Sequence, residues 1–312
     1  MPCFSHAIEE QFSQPVRLDR YVSETLRLLS RSQIKARFLK AKINGKDVKN
    51  SRIVKQGDIL ELCWQDSAPV NIIPQDIPLE IIYEDENCIV VNKAQGMVVH
   101  PGAGNRQDTL ANALYFRRLN RGSKTSDDAP SDNVRPGIVH RLDKDTSGVI
   151  IAAFNEEALA FLAQQFKARK TRKTYIAIVQ GAPKEINGRI ETCIARDPRD
   201  RKKFTVSANG RSAVTYYKVI NSWRTHSLLL LRPRTGRTHQ LRVHLRHIGH
   251  PILGDPIYGG ADKLFPDASL MLHSKSLAII LPNETEERVF SSLIPKRFMA
   301  VIEKLNRMNT NG

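Results

Sequence analysis

Leu18, Val22, Leu26 and Leu29 recur at intervals of three and four residues, which puts them on one face of a helix. Ser30 or Ser32 can cap a second helix, in which Ile34 and Phe38 lie one turn apart. The pattern then shortens. Lys42-Ile43-Asn44-Gly45-Lys46-Asp47-Val48 has an Asn-Gly pair between two strand candidates. Asn-Gly suits a tight hairpin because both central residues of the turn need positive φ. Gln56-Gly57-Asp58 turns into a further strand, Ile59 to Trp64. Residues 15–66 therefore read as a helix-helix-hairpin unit, with 1–14 as an N-terminal extension. Pro69, Pro74 and Pro78 mark 67–78 as a linker.

A second domain, 79–312, reads differently. Its strand candidates are Leu79 to Tyr83, Cys88 to Val91, Gly148 to Phe154, Tyr175 to Val179, Ala213 to Ile220 and Ser227 to Leu231. Helices are expected over Asp108 to Leu119, over Glu156 to Lys167 behind an Asn155 cap, over Thr238 to Ile248 and over Pro295 to Asn306. The stretch from Gly122 to Asn133 is polar and reads as a mobile surface loop. Strands outnumber helices and do not alternate regularly with them. That predicts an α+β fold: a largely antiparallel mixed sheet with flanking helices, preceded by the small α/β unit. There is no internal repeat and no sustained heptad pattern.

Charge changes the picture most. Lys plus Arg number 48 and Asp plus Glu 32, a net charge of +16. An excess this large favours a polyanionic partner, because each phosphate contact releases counterions. From Arg27 to Lys55 there are ten basic residues against Asp47 alone. Lys35, Arg37, Lys40 and Lys42 largely avoid the apolar positions, so they form a candidate RNA-binding face. No run approaches the roughly 20 apolar residues of a membrane span. The first residues lack the pattern of a secretory signal, so the expectation is a cytoplasmic protein with no membrane association. Cys3, Cys63, Cys88 and Cys193 lack the close pairing of a zinc ribbon and read as buried or incidental thiols. His239, His244, His247 and His250 cluster, but Arg237, Arg242 and Arg246 are interleaved with them. Neighbouring cations oppose metal binding, so RNA contact is the better reading of that helix. The common phosphate-loop, dinucleotide and serine-hydrolase signatures are absent.

Several loops are denser in polar and turn residues than packing requires. They are Asn92 to Gly96, His100 to Gly102, His140 to Gly148, Thr235 to His244 and His250 to Gly259. Five such loops in one basic domain point to a shared cleft. Asp143 and Asp145 are its obvious carboxylates, and spacing alone leaves open whether either is more than a turn or cap residue. At this point a resemblance becomes specific. His140-Arg141-Leu142-Asp143-Lys144-Asp145-Thr146-Ser147-Gly148, the Thr235 to His244 block and the His250 to Gly259 block resemble signature blocks of the RluA-type RNA pseudouridine synthases. The likeness spans roughly Pro74 to Met299. The helix pair and hairpin of about Arg17 to Trp64 resemble an S4 domain, a small RNA-binding module.

The resemblance implies an isomerase that breaks a uridine's glycosidic bond, turns the base and rejoins it through C5, with no metal and no cofactor. It selects Asp143 over Asp145 as the catalytic aspartate, attacking sugar or base or removing a sugar proton. It implies that Arg242 pairs with and orients Asp143. It implies that Tyr175 stacks on the target base and that Arg141 fills the gap left in the RNA stack. His140, Arg237 and His239 are expected RNA contacts. So are Lys170 and Arg172, in a run with five basic residues between Lys167 and Lys173. Two departures stand out: Ala94 replaces a family proline, and Leu281 precedes Pro282 where a histidine is usual. The expected partner is ribosomal RNA of the large subunit, free or in an assembling particle, and the expected state is a monomer. Transfer RNA is the alternative substrate. A non-catalytic RNA-binding assembly protein and a metal-dependent RNA hydrolase are the alternatives of other classes.

Overall fold

The computed structural model describes residues 2–26, 28–29, 33–34, 37, 39–65, 72–102, 104–121, 137–200 and 202–310. The expected 122–133 loop lies outside the described residues, as do Ser30, Ser32, Lys35 and Phe38. The chain divides into a small unit within residues 1–71 and a large one from Ile72 onward.

In the small unit, β1 (Cys3–Ala7), β3 (Lys40–Ile43), β4 (Lys46–Val48) and β6 (Ile59–Cys63) form a sheet in the order β1-β6-β3-β4. A two-stranded ladder, β2 (Val16–Arg17) with β5 (Ile53–Val54), accompanies it. The Asn44-Gly45 turn takes positive φ at both residues, 51° and 77°, as the hairpin requires. The first helix is short and changes pitch: Leu18–Arg20 is α-helical, and Tyr21–Thr25 is a π-helical turn. Leu18, Tyr21, Val22, Leu60 and Leu62 are buried together. Two expectations are corrected here. The N-terminal extension is part of this unit, because β1 pairs along its whole length with β6. That pairing puts Cys3 opposite Cys63, and the two are joined in a disulfide across a separation of 60 residues, so they are not incidental thiols. Register, not sequence proximity, brings them together.

The large unit is built on one ten-stranded sheet. Its strands are β7 (Glu80–Glu84), β8 (Cys88–Lys93), β9 (Ser147–Ala153), β10 (Arg172–Gln180), β11 (Asn187–Arg196), β12 (Phe204–Val206), β13 (Arg211–Ser222), β14 (His226–Pro233), β15 (Leu272–Ile280) and β16 (Glu287–Ser291). The spatial order is β12-β11-β13-β14-β10-β15-β9-β8-β7, with β16 also on β15. Among the described strands of this sheet β9 and β15 make the single parallel pairing, at Ser147 with His273 and Gly148 with Ser274. Helices α1 (Leu110–Asn120), α2 (Glu156–Lys167), α3 (Gln240–His247) and α4 (Lys296–Thr310) flank it. The α+β expectation holds. β9 is buried at all seven positions, which is why it reads as a continuous apolar run. Asn155 caps α2 as expected, its Oδ1 accepting from the Ala158 N–H at 2.8 Å.

The second half of the expected linker is docked. Asn112 Nδ2 donates to the Ile73 carbonyl at 2.7 Å, and the Gln75 N–H donates to the Asn112 carbonyl. Strands β11, β12, β15 and β16 went unread in the sequence. Much of β11 and β16 is exposed and polar, so neither shows the apolar run or clean alternation that marks a strand.

The histidine cluster does not face outward as one group. His244 is fully buried between Thr192 Oγ1 and Thr215 Oγ1, each 3.0 Å from a ring nitrogen. His273 is equally buried, between Ser147 Oγ at 2.9 Å and Ser292 Oγ at 2.8 Å. Burial pushes both imidazoles down to about 4, and it pushes His140 down to about 3. Among the described residues no three His, Cys, Asp or Glu side chains converge to hold a metal ion, and no helix is long and apolar enough to cross a membrane.

Two outcomes follow from this packing. Folded-state pKa values below the ordinary 6.5 mean that, under pH 6.5, unfolding takes up protons at these three rings. Stability should therefore fall as pH drops from about 6.5 towards about 4, a window above most carboxylate titration. The melting temperature should be clearly lower at pH 5 than at pH 7, and a flat profile would contradict the buried neutral rings. At the parallel junction Gly148 has φ +116°, and a Cβ there would overlap the Ser274 backbone. Gly148→Ala should cost at least about 2 kcal/mol, read as a lowered melting temperature or loss of soluble protein.

Candidate active site

The Thr235 to His244 block forms a turn and the start of α3. Gln240 organises it. Its Oε1 accepts from Thr235 Oγ1 at 2.8 Å and the Arg237 N–H at 2.9 Å, and its Nε2 donates to the Val214 carbonyl and Thr215 Oγ1, each at 3.0 Å. That fastens the turn to β13 and aims Arg242 into the interior. Arg242 is only 3% exposed. A buried guanidinium must be matched by acceptors. Its Nε and Nη2 donate to the two oxygens of Asp255 at 2.8 and 2.7 Å. The same Asp255 carboxylate accepts from the Ile257 and Tyr258 N–H groups. Burial opposes its charge, but Arg242 and these amides hold its pKa below the usual carboxylate range. Arg242 also lies over the Tyr258 ring, 5.1 Å from the centroid.

Nη1 of Arg242 is left to face Asp143, donating to Oδ2 at 3.4 Å. Arg242 therefore meets Asp143 as the resemblance implies, but its tight partner is Asp255. His239 Nε2 is 3.9 Å from the same Asp143 oxygen. Both contacts are long, so the Asp143 carboxylate is approached by two donors without being closely engaged by either.

The His140 to Gly148 loop is held from beneath by the Asn92 to Gly96 loop. Lys93 is 1% exposed, and its Nζ donates to the carbonyls of Ala94, Met97 and Lys144. Burial lowers its pKa to about 8, against the pull of Asp145 and Asp143. Gln95 Nε2 donates to the Asp145 and Leu270 carbonyls at 3.0 Å, and the Gly96 N–H donates to the Lys144 carbonyl at 2.9 Å. These bonds fix the loop although Ala94 stands where a proline is usual. Asp145 thus belongs to the loop's backbone frame, and Asp143 is the carboxylate that lines the cleft.

Tyr175 enters from β10 at a β-bulge, where the register with β15 shifts between Thr174 and Tyr175. Bulges re-aim a side chain, and here the phenol joins Asp143 and Arg242 in the lining of one cleft of about 460 Å³. Burial, with Asp143 adding to it, pushes its hydroxyl up to about 12 against a contact with Ser274, so it is a neutral flat surface. Arg141 is exposed on the same loop as Asp143, and Lys173 and Arg237 lie along the cleft walls.

The remaining expected contacts separate. His140 is turned inward: its Nε2 accepts from the Ile151 N–H at 3.0 Å, and its ring stacks on Phe166 at 4.5 Å. It is a neutral wall of the cleft, not a cation for phosphate. Arg172 is ion-paired to Glu287, while Lys170 is exposed. Arg237 Nε donates to the Ser212 carbonyl. In the small unit Lys40 and Lys42 share the exposed face of β3, Arg37 is half-buried, and Lys35 lies outside the described residues. Asp255 and Lys93 are the residues that sequence reasoning missed. Both sit in blocks whose density of polar residues was visible, and a buried charge's need for a partner is the signal for Asp255.

Comparison with known proteins gives the family. Residues 87–247 match the family model described as RNA pseudouridylate synthase. The chain is 44% identical over 291 residues to the ribosomal large subunit pseudouridine synthase D of Borreliella burgdorferi, covering 91% of this chain and 88% of that one. It is 40% identical to an uncharacterized RNA pseudouridine synthase of Chlorobaculum parvum, over 95% of this chain and 96% of that one. Among solved structures, human RNA pseudouridylate synthase domain containing 4 is similar with a TM-score of 0.58 and 27% identity, over 73% of this chain and 93% of that one. The chain belongs to the RNA pseudouridylate synthase family.

Proposed function

We propose that this protein isomerises uridine to pseudouridine in large-subunit ribosomal RNA, using Asp143 as its catalytic residue. The observation that carries the reading is the Asp143 carboxylate itself. It stands in a cleft lined by Tyr175 and basic side chains, with a guanidinium at 3.4 Å and an imidazole at 3.9 Å and, among the described residues, no tighter ion pair. The Borreliella relative's name supports ribosomal RNA as the substrate.

A uridine inside folded RNA must leave its stack to reach this cleft. Arg141, exposed beside Asp143, fills the space it vacates. The uracil lies against the Tyr175 ring. Asp143 then attacks sugar or base, or takes a sugar proton, and the C1′–N1 bond breaks. The base turns, C1′ joins C5, the C5 proton is lost and N1 gains one, so the product is an isomer and no cofactor is consumed. Arg242 fixes the position of Asp143 throughout, because Asp255 holds Arg242. The small unit acts as an S4-like RNA-binding domain through the Lys40 and Lys42 face, and RNA shape and phosphates are what such a face reads.

Asp143→Asn should retain RNA binding and lose pseudouridine formation on transcribed large-subunit ribosomal RNA; normal product from that variant would overturn the assignment. Asp255→Asn leaves a buried guanidinium without its counter-charge. It should cost about 3 kcal/mol of stability and slow conversion at saturating RNA, measured by thermal unfolding beside single-turnover rates. A variant with unchanged melting and rate would show that Asp255 does not hold Arg242.

A further inference from the structure

We propose that His239 is a second catalytic residue, whose Nε2–H donates a hydrogen bond to a carbonyl oxygen of the uracil while the base is detached from the sugar. The proposal rests on the synthase reading above and deepens it.

The tautomer follows from a short chain of hydrogen bonds. The Phe204 N–H donates to Tyr258 Oη at 2.8 Å. Tyr258 Oη lies 2.8 Å from His239 Nδ1. A phenol has one proton, and an oxygen that accepts from the amide directs that proton to its other neighbour. Nδ1 is therefore the acceptor, and the proton of the neutral ring sits on Nε2. Burial holds the ring below its ordinary pKa, with Arg242 and Arg141 adding to that and Asp143 and Asp255 opposing it. Among the described residues Nε2 has no hydrogen-bond partner; its nearest carboxylate oxygen is the one 3.9 Å away on Asp143. His239 lines the cleft, so this unpartnered N–H is open to an acceptor carried by a bound base.

The ring is also held still. His239 has φ 55° in front of α3, a left-handed conformation uncommon outside glycine. Gln240, next in sequence, fixes that turn. Phe204 and Tyr258 meet the imidazole edge-on, each with centroids 5.6 Å away. Strain retained at a cleft by surrounding packing is a mark of a positioned group.

The chemistry needs such a donor. When the C1′–N1 bond breaks, its electron pair stays with the uracil and spreads from N1 to O2 and O4. The sugar forms a bond to Asp143 or gives it a proton. A neutral N–H on a carbonyl oxygen stabilises the uracil's charge and keeps its own proton, so nothing must be returned before the base rejoins through C5. Arg242 is less suited, because three of its nitrogens already donate to Asp255 and Asp143.

Two variants separate donation from structure. Asn tolerates positive φ, and in His239→Asn its side-chain oxygen can still accept from Tyr258, but its amide is too short to replace Nε2. In His239→Gln the longer amide reaches that place. Single-turnover conversion of transcribed large-subunit ribosomal RNA should be slowed about 10²-fold by His239→Asn. RNA affinity and melting temperature should stay near wild type. His239→Gln should recover about tenfold of the lost rate. An unchanged rate in His239→Asn, a loss seen only in RNA affinity, or no recovery in a stably folded His239→Gln would each overturn the donor role. Wild-type protein that formed no pseudouridine would remove the synthase reading and this proposal with it. Conversion by wild type and by His239→Asn alike would remove the proposal alone.

Discussion

A guanidinium buried in a protein is tolerable only when its charge and its N–H groups are answered. Arg242 meets that constraint with Asp255, through two short bonds, and Asp255 in turn is answered by the Ile257 and Tyr258 amides. Such a pair adds little net stability, since the desolvation of both ions offsets most of their attraction. What it supplies is position. Two nitrogens locked onto Asp255 leave the third with one direction to point, and that direction is Asp143. The turn at Asp255 to Tyr258 is tied to α3 by the same contact, and Tyr258 then reaches His239 and Phe204. Most of the cleft's geometry can be traced to this one pair.

The sheet brings the other half. Asp143 stands on the loop into β9, and Tyr175 stands on β10, two strands away across β15. The parallel junction of β9 with β15 fixes where the loop ends, and a residue without a Cβ is required there because Gly148 meets the Ser274 backbone. Ser274 is also opposite Tyr175 in the ladder, at the bulge. Loop and phenol are therefore referenced to the same residue of the same strand. Lys93 completes the arrangement from below by saturating carbonyls of the two loops.

What the sequence shows depends on how local the physics is. Asn155 and its helix were legible because a cap and an apolar face are decided within a few residues. The α+β class was legible from the number of strands against helices. Asp143, Tyr175 and Arg242 were selected by motif resemblance, since Asp145 has the same chemistry and nearly the same place. Pairings made by register were hidden: Cys3 with Cys63 requires knowing that β1 lies on β6. His244 reads with its basic neighbours as part of an RNA-facing helix, and His140 as an expected RNA contact. The His140 ring instead satisfies a backbone N–H at the cleft wall and the His244 ring two threonines in the interior, and helical or loop context alone does not fix which side a residue faces.

On the proposed reading Asp143 is the carboxylate that reacts, and its loose contacts suit that role. An ion pair as short as that between Arg242 and Asp255 would occupy the carboxylate's lone pairs and resist displacement during attack or proton removal. At 3.4 and 3.9 Å the neighbouring donors orient the group and leave its oxygens accessible. The tight pair and the loose one are thus two uses of one arginine. Asp255 absorbs most of the guanidinium's hydrogen-bonding capacity, and the residual field at Nη1 steers Asp143 without immobilising its electrons. Exchanging the two would give a more saturated ion pair at the mouth of the cleft and a poorer nucleophile or base.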